Sequence, residues 1–143
     1  MSTERIVVAR SVAEQFRQLL AEASEKLFGR HAAAPVLVAS SGVKKNKGLV
    51  TDALAKGADV VFGDANAHEA CSNSMRPLVI GNVTKDMDLY SMESFGPTVS
   101  LIIVDNEDDA IALANDTEYG LSSAVFTSNL FRGLKVAKQV ESG

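Results

Sequence analysis

The 143 residues carry a formal charge of −4, a single cysteine, no tryptophan and an apolar fraction of 46%, the composition of an ordinary soluble domain rather than a disordered or fibrous chain. An acidic chain without a basic stripe is no nucleic-acid binder, because phosphate neutralisation supplies most of that affinity, and no apolar stretch approaches the roughly 20 residues that span a bilayer. One cysteine excludes an internal disulfide and fits a reducing, cytoplasmic setting, and the short apolar run Ile6–Ala9 after a polar start gives no signal peptide.

Ile6–Ala9 is β-branched and predicts a strand. Ser11, with Glu14 three residues on, has the form of a capping box and predicts the start of a helix. Val12, Phe16, Leu19, Leu20, Ala23 and Leu27 recur at helical spacing and predict its buried face, which Gly29 ends. Pro35–Ala39 is a short strand or an extended connection. A second helix is expected over Val43–Lys56, with Leu49, Val50, Ala53 and Leu54 inward and Gly57 as the left-handed residue past its end.

Asp59–Phe62 is a buried strand, residues 63–76 are small and polar and make a surface loop, and Pro77–Ile80 resumes extended structure. Val99–Val104 is almost wholly apolar, as in a strand covered on both sides. Asn106 suits a helix cap, with Glu107, Asp108 and Asp109 in the first turn, where the helix dipole favours negative charge. Ser123–Thr127 predicts a further strand, and Leu130, Leu134 and Ala137 stripe a final helix. Strand and helix alternate, so the fold class is α/β, a parallel sheet with covering helices, in one domain over residues 1–143.

Most alternative chemistries lack their residues. The acidic run at 107–109 has neither the ligand spacing nor the central glycine of a calcium loop. Cys71 stands three residues after His68 in a polar loop and is taken as incidental, and with only His31 besides, no metal set forms. Lys44, Lys45 and Lys47 make a solvated helix face without a phosphate-binding glycine motif, and no G-x-G-x-x-G occurs, so no dinucleotide-binding domain is present.

Glu93-Ser94-Phe95-Gly96-Pro97, set just before the Val99–Val104 strand, is the best candidate for a small-molecule contact. An ionised carboxylate can take both hydroxyls of a cis-diol through its two oxygens, and an adjacent ring adds apolar area. Gly96 allows backbone conformations closed to other residues, and Pro97 fixes the entry to the strand. The competing reading makes Glu93 a solvent-facing acid and Phe95 a core ring.

That pentapeptide, followed by Ala114-Asn115-Asp116-Thr117-Glu118-Tyr119-Gly120-Leu121-Ser122-Ser123-Ala124-Val125-Phe126-Thr127, resembles the E-x-F-G-P and A-N-x-x-x-Y-G-L-x-x-x-V-F-T segments of the aldehyde dehydrogenase superfamily. The resemblance implies a parallel-sheet, three-layer catalytic domain of that type, incomplete at both ends. It assigns Glu93 to the diol of the nicotinamide ribose and Phe95 to packing beside the same ribose. Met92 departs from the acidic residue common before this glutamate. Met1–Val8 resembles the stretch after the nucleophile, which would then stand one place before Met1. Met1 and Ser2 would adjoin the aldehyde tunnel but are not taken as site residues. Leu134–Gly143 resembles the last family helix.

On this register the chain holds no catalytic residue, since the chemistry needs a thiolate, a general base and a held dinucleotide. NAD or NADP would serve the complete enzyme, a small-molecule aldehyde would be its substrate, and the chain alone would be inactive and bind neither dinucleotide strongly. Met87–Tyr90 with Met92 and Glu93 resembles the branch acting on aromatic aldehydes such as salicylaldehyde or vanillin. A sheet lacking its last strand would show an unpaired edge, so self-association is expected. The alternative function is a free-standing, non-catalytic α/β association module on the same scaffold.

Overall fold

The computed structural model describes residues 3–29 and 31–142. Its strands are β1 (Arg5–Ala9), β2 (Asp59–Phe62), β3 (Leu78–Gly81) and β4 (Thr98–Val104); its helices are α1 (Arg10–Phe28), α2 (Ser40–Ala55), α3 (Asp88–Ser91), α4 (Glu107–Asn115) and α5 (Leu130–Ala137). The strands form one sheet in the order β1-β4-β3-β2. β4, the longest strand, lies inside it with β1 and β3 parallel on either side. β2 runs antiparallel to β3, with a register irregularity between Val60 and Phe62. The sheet is therefore mostly parallel rather than wholly so. A parallel neighbour needs a long crossover, usually helical, whereas β2 and β3 are joined by an irregular loop with no helix.

Side-chain alternation sends the two faces of the sheet into two cores. Leu78 and Ile80 of β3 and Ile102 of β4 pack with Val43, Leu49, Val50 and Ala53 of α2 and with Leu89 and Tyr90 of α3. Val79 and Leu101, from the opposite face, pack with Val8 and Ala13, flanked by Leu20, Val61 and Phe62. Each large aliphatic side chain so buried contributes about 1.5–3 kcal/mol. Helices cover both faces, which gives three layers.

α2 has the expected inner face, and its end is a Schellman motif: Ala58 N–H bonds Ala53 O at 3.0 Å and Gly57 N–H bonds Leu54 O at 3.2 Å, with Gly57 at φ +102. Its start lies at Ser40, earlier than Val43. Asn106 caps α4 by accepting the Asp109 N–H at 2.8 Å. Pro35–Ala39 is an extended connection with one antiparallel bridge, Val36 to Ser74.

Four expectations about the elements need correction. Asp59–Phe62 is a strand but not a buried one, because β2 lies at the edge of the sheet and leaves Val60 exposed. The Ser11 capping box does not form, because β1 runs straight into α1: Ala9, still paired with Val104, occupies the cap position with no side-chain bond. Most of the stripe chosen for α1 is the outer one. Val12, Phe16, Leu19, Ala23 and Leu27 are exposed and only Leu20 of it turns inward, where the face toward the sheet is Ala13, Arg17, Leu20, Ala21 and Ser24. Small residues let the helix approach closely, and Arg17 pairs with Asp59 of β2 at 2.5 Å. Ser123–Thr127 forms no strand and is exposed throughout, since β-favouring residues need a neighbouring chain to pair with.

Candidate functional site

The turn between α3 and β4, residues 92–97, carries both expected site residues. Its main chain is held from three directions. Ser94, fully buried, donates its hydroxyl to Thr98 O at 3.2 Å and accepts the Gly96 N–H at 3.2 Å. From α2, the Asn46 side-chain amide donates to Ser94 O at 3.0 Å and to Gly42 O at 2.9 Å. From the residue before β1, the Glu4 carboxylate accepts the Ser94 N–H at 2.9 Å through Oε2 and the Phe95 N–H at 3.1 Å through Oε1. Glu4 is itself anchored, because Ser100 of β4 donates to its carbonyl from both N–H, at 3.0 Å, and Oγ, at 3.1 Å. Pro97 O accepts the Leu78 N–H at 2.8 Å, which ties the turn to β3.

These anchors hold an unfavourable conformation. Phe95 has φ +49, a left-handed geometry that costs a non-glycine residue on the order of 1–3 kcal/mol. The left-handed residue is thus Phe95 and not Gly96. Gly96 is needed for proximity: a Cβ there would stand 2.3 Å from Asn46 Nδ2. Asn46 is completely buried, and its Oδ1 has no hydrogen-bond partner among the described residues. The amide must face this way, because the flipped orientation would set its oxygen against two carbonyls.

Glu93 is half-buried, and its carboxylate makes no hydrogen bond or ion pair with the described residues. Phe95 is 77% exposed, so it is not a core ring. Lys45 Nζ stands 5.7 Å from the centre of that ring. An open groove of about 440 Å³, bordered by Lys44, Lys45, Leu49, Asp88 and Met92, runs between α2 and the turn. Lys47 departs from the expected solvated face and donates to Ala67 O at 2.9 Å, which pins the 63–76 loop to α2.

A polar cluster supports α3 behind the turn. Arg5 donates to Tyr90 O at 2.6 Å, Leu113 O at 2.7 Å and Asp116 O at 3.2 Å, with its guanidinium 4.7 Å from the Tyr90 ring centre. Tyr90 Oη donates to Asp116 Oδ2 at 2.5 Å, and Lys85 pairs with the same oxygen at 2.5 Å. Burial, then the bond to Asp116, pushes the Tyr90 phenol above its ordinary value. Lys85, then Tyr90, holds the Asp116 carboxyl below the usual range.

Cys71 is exposed in its loop. Among the described residues, no group of three or more His, Cys, Asp or Glu side chains is placed to hold a metal ion, and no helix is long and apolar enough to cross a membrane. Met1 and Ser2 lie outside the described residues. Reading the sequence missed Glu4 and Asn46. Their partners lie 90 and 48 residues away, and neither has a local signal: Glu4 is a polar residue ahead of a strand, and Asn46 is one polar residue among lysines.

The model of the aldehyde dehydrogenase family matches residues 1–143. The chain belongs to the aldehyde dehydrogenase family. It is 38% identical over 148 residues to a vanillin dehydrogenase of Pseudomonas fluorescens and 35% identical over 150 residues to a salicylaldehyde dehydrogenase of Pseudomonas putida. Both alignments take in 100% of this chain and 30% of the relative, so this aldehyde dehydrogenase family chain spans about 30% of the length of these curated relatives. Among solved structures it is similar to the succinic semialdehyde dehydrogenase of Streptococcus pyogenes in complex with NADP+, with a TM-score of 0.87 and 28% identity, covering 98% of this chain and 32% of that one. It is also similar to the salicylaldehyde dehydrogenase of Pseudomonas putida G7 complexed with salicylaldehyde, with a TM-score of 0.86 and 34% identity, covering 98% and 29%.

Proposed function

We propose that this chain works as part of an NAD(P)-dependent aldehyde dehydrogenase that oxidises aldehydes to carboxylic acids, and that its share of the work is to grip the nicotinamide ribose through Glu93 and Phe95. The observation that carries the reading is the pairing of an unengaged carboxylate with an exposed ring on a turn anchored from three sides. The residues fit the cofactor: Glu93 has both oxygens available to a cis-diol among the described residues, and the exposed face of Phe95 offers apolar area that excludes water. The dinucleotide, when bound, supplies the hydride acceptor. This chain's residues orient it, and a fixed turn loses little freedom in doing so.

The proposal treats residues 1–143 as a single partial catalytic domain. A nucleophile, a general base and a dinucleotide domain would come from elsewhere in the complete enzyme. Aromatic aldehydes are the proposed substrate class, supported by the similarity to vanillin and salicylaldehyde dehydrogenases. Self-association and a cytoplasmic location complete the reading, supported by the exposed apolar side chains around α5 and by the exposed free thiol of Cys71.

The test is Glu93→Gln in the complete enzyme. A misplaced nicotinamide should slow turnover by about 10²-fold and raise the dinucleotide KM, with the aldehyde KM unmoved. Kinetic constants equal to wild type would remove Glu93 from the site. Calorimetric titration of the isolated chain with NAD or NADP should show no strong binding.

A further inference from the structure

Glu4 stands out because nothing local explains it. Its carboxylate spends both oxygens on two successive N–H groups of one turn, 2.9 and 3.1 Å away, although a carboxylate before a strand usually faces water. The second of those N–H groups belongs to Phe95, the residue at φ +49. The Glu4 main chain is clamped to β4 through Ser100, so the carboxylate is a fixed point rather than a swinging arm.

We propose that Glu4 is a positioning residue for the dinucleotide contact: by holding the Ser94 and Phe95 N–H groups it keeps Phe95 left-handed and so fixes Glu93 and Phe95 relative to β4. The proposal rests on the reading that these two residues hold the ribose. Glu4 touches no ligand in it and acts through the turn. Asn46 is the counterpart on the other side, taking the Ser94 carbonyl. Between them the Ser94 peptide groups are bonded at N–H and at C=O by side chains from two separate elements, α2 and the entry to β1. The arrangement also joins the segment entering β1 directly to the ribose turn, so a shift at the start of β1 is felt at Glu93.

Charge-assisted bonds to a carboxylate are stronger than neutral ones and require its full pair of acceptors. Glutamine keeps one acceptor oxygen and turns an N–H₂ toward the remaining N–H, which removes one bond and opposes donor to donor. In the complete enzyme, Glu4→Gln should raise the dinucleotide KM about tenfold while leaving the aldehyde KM where it was. It should also speed hydrogen exchange at the Ser94 and Phe95 amides about tenfold without moving the amides of β4. A general loss of stability would instead accelerate both sets together and lower the active fraction with KM values unchanged.

Phe95→Gly supplies the second arm. Glycine adopts the left-handed geometry without cost, so the effect of Glu4→Gln on the dinucleotide KM should shrink in that background. Additive effects in this cycle, or unchanged exchange at Ser94 and Phe95 in Glu4→Gln, would overturn the proposal. A raised dinucleotide KM in Glu93→Gln alongside a normal one in Glu4→Gln would also overturn it and leave the ribose assignment intact. Normal values in both variants would remove the ribose assignment itself. If Glu4→Gln does not fold, Glu4→Asp, which keeps both oxygens but withdraws them by one methylene, is read by the same outcomes.

Discussion

Gly57 and Gly48 stand nine residues apart and answer the same substitution in opposite ways. Gly57 has φ +102 and completes the Schellman motif, whereas Gly48 lies on the exposed face of α2 with nothing within 4 Å of a Cβ position. Gly48→Ala should stabilise the chain by about 1 kcal/mol, from helix propensity and the lost freedom of the unfolded state. Gly57→Ala should destabilise it by about 1 kcal/mol, because a side chain resists a left-handed backbone. Urea midpoints of the two variants decide this, and shifts of the same sign would refute the argument. Gly57 was legible in the sequence because the signal is local, a glycine just past a helical period. Gly96 was legible as necessary but for the wrong reason, since the demand for it comes from Asn46, 50 positions earlier. Glu93 and Phe95 could be found from their motif; the groups that hold them could not, because no sequence window contains both sides of those contacts.

At the scale of elements, periodicity and, for α4, the Asn106 cap found every helix among the described residues except the four-residue α3, and periodicity misjudged which side of α1 is covered. Two stripes run along that helix, and the more apolar one, Val12, Phe16, Leu19 and Leu27, faces away from the sheet. Hydrophobicity alone selects the wrong side when the inner contact is made by small residues and an arginine. The strand expected at Ser123–Thr127 fails for a related reason, since strand propensity describes what a segment does once a neighbour is present. α5 shows how an element can be attached without a core. Its apolar residues Leu130, Phe131 and Leu134 are exposed, while Arg132 and Lys135 meet Glu107 of α4 at 2.6 and 2.8 Å. Lys135, then Arg132, holds the Glu107 carboxyl below its usual range. A depressed carboxylate stabilises the folded state above its unfolded value, about 4.3, and loses that contribution as pH falls through the lower folded one. Acidification should therefore loosen α5 before β3 and β4, and added salt should do so at neutral pH. Hydrogen exchange of residues 130–140 against β4 is the measurement. Protection of α5 that outlasts the sheet would contradict it.

Large apolar side chains stand exposed at many places on the described surface, and exposed apolar patches mark sites of association. Leu121, Phe126 and Phe131 are 76, 94 and 84% exposed, in addition to the outer stripe of α1. Among the described residues β1 pairs with β4 alone, so one side of that strand has no ladder partner. Sedimentation velocity of the purified chain should show association that rises with concentration, and Phe126→Ser with Phe131→Ser should reduce it. A wild-type chain that stays monomeric at tens of micromolar would show that this surface is tolerated. The α/β class and the coverage of both sheet faces were readable from alternating periods. The antiparallel β2 was not, because strand direction depends on how the 63–76 loop returns, and a loop's path has no periodicity.

Arg5 gathers the last turns of two helices onto one side chain, bonding Tyr90 O of α3 and the Leu113 and Asp116 carbonyls at the end of α4 while lying on the Tyr90 ring. Only a flat, forked donor can serve carbonyls in divergent directions and still stack. A lysine there would keep the charge and lose the geometry, so this position selects for the shape of a cation as much as for its sign.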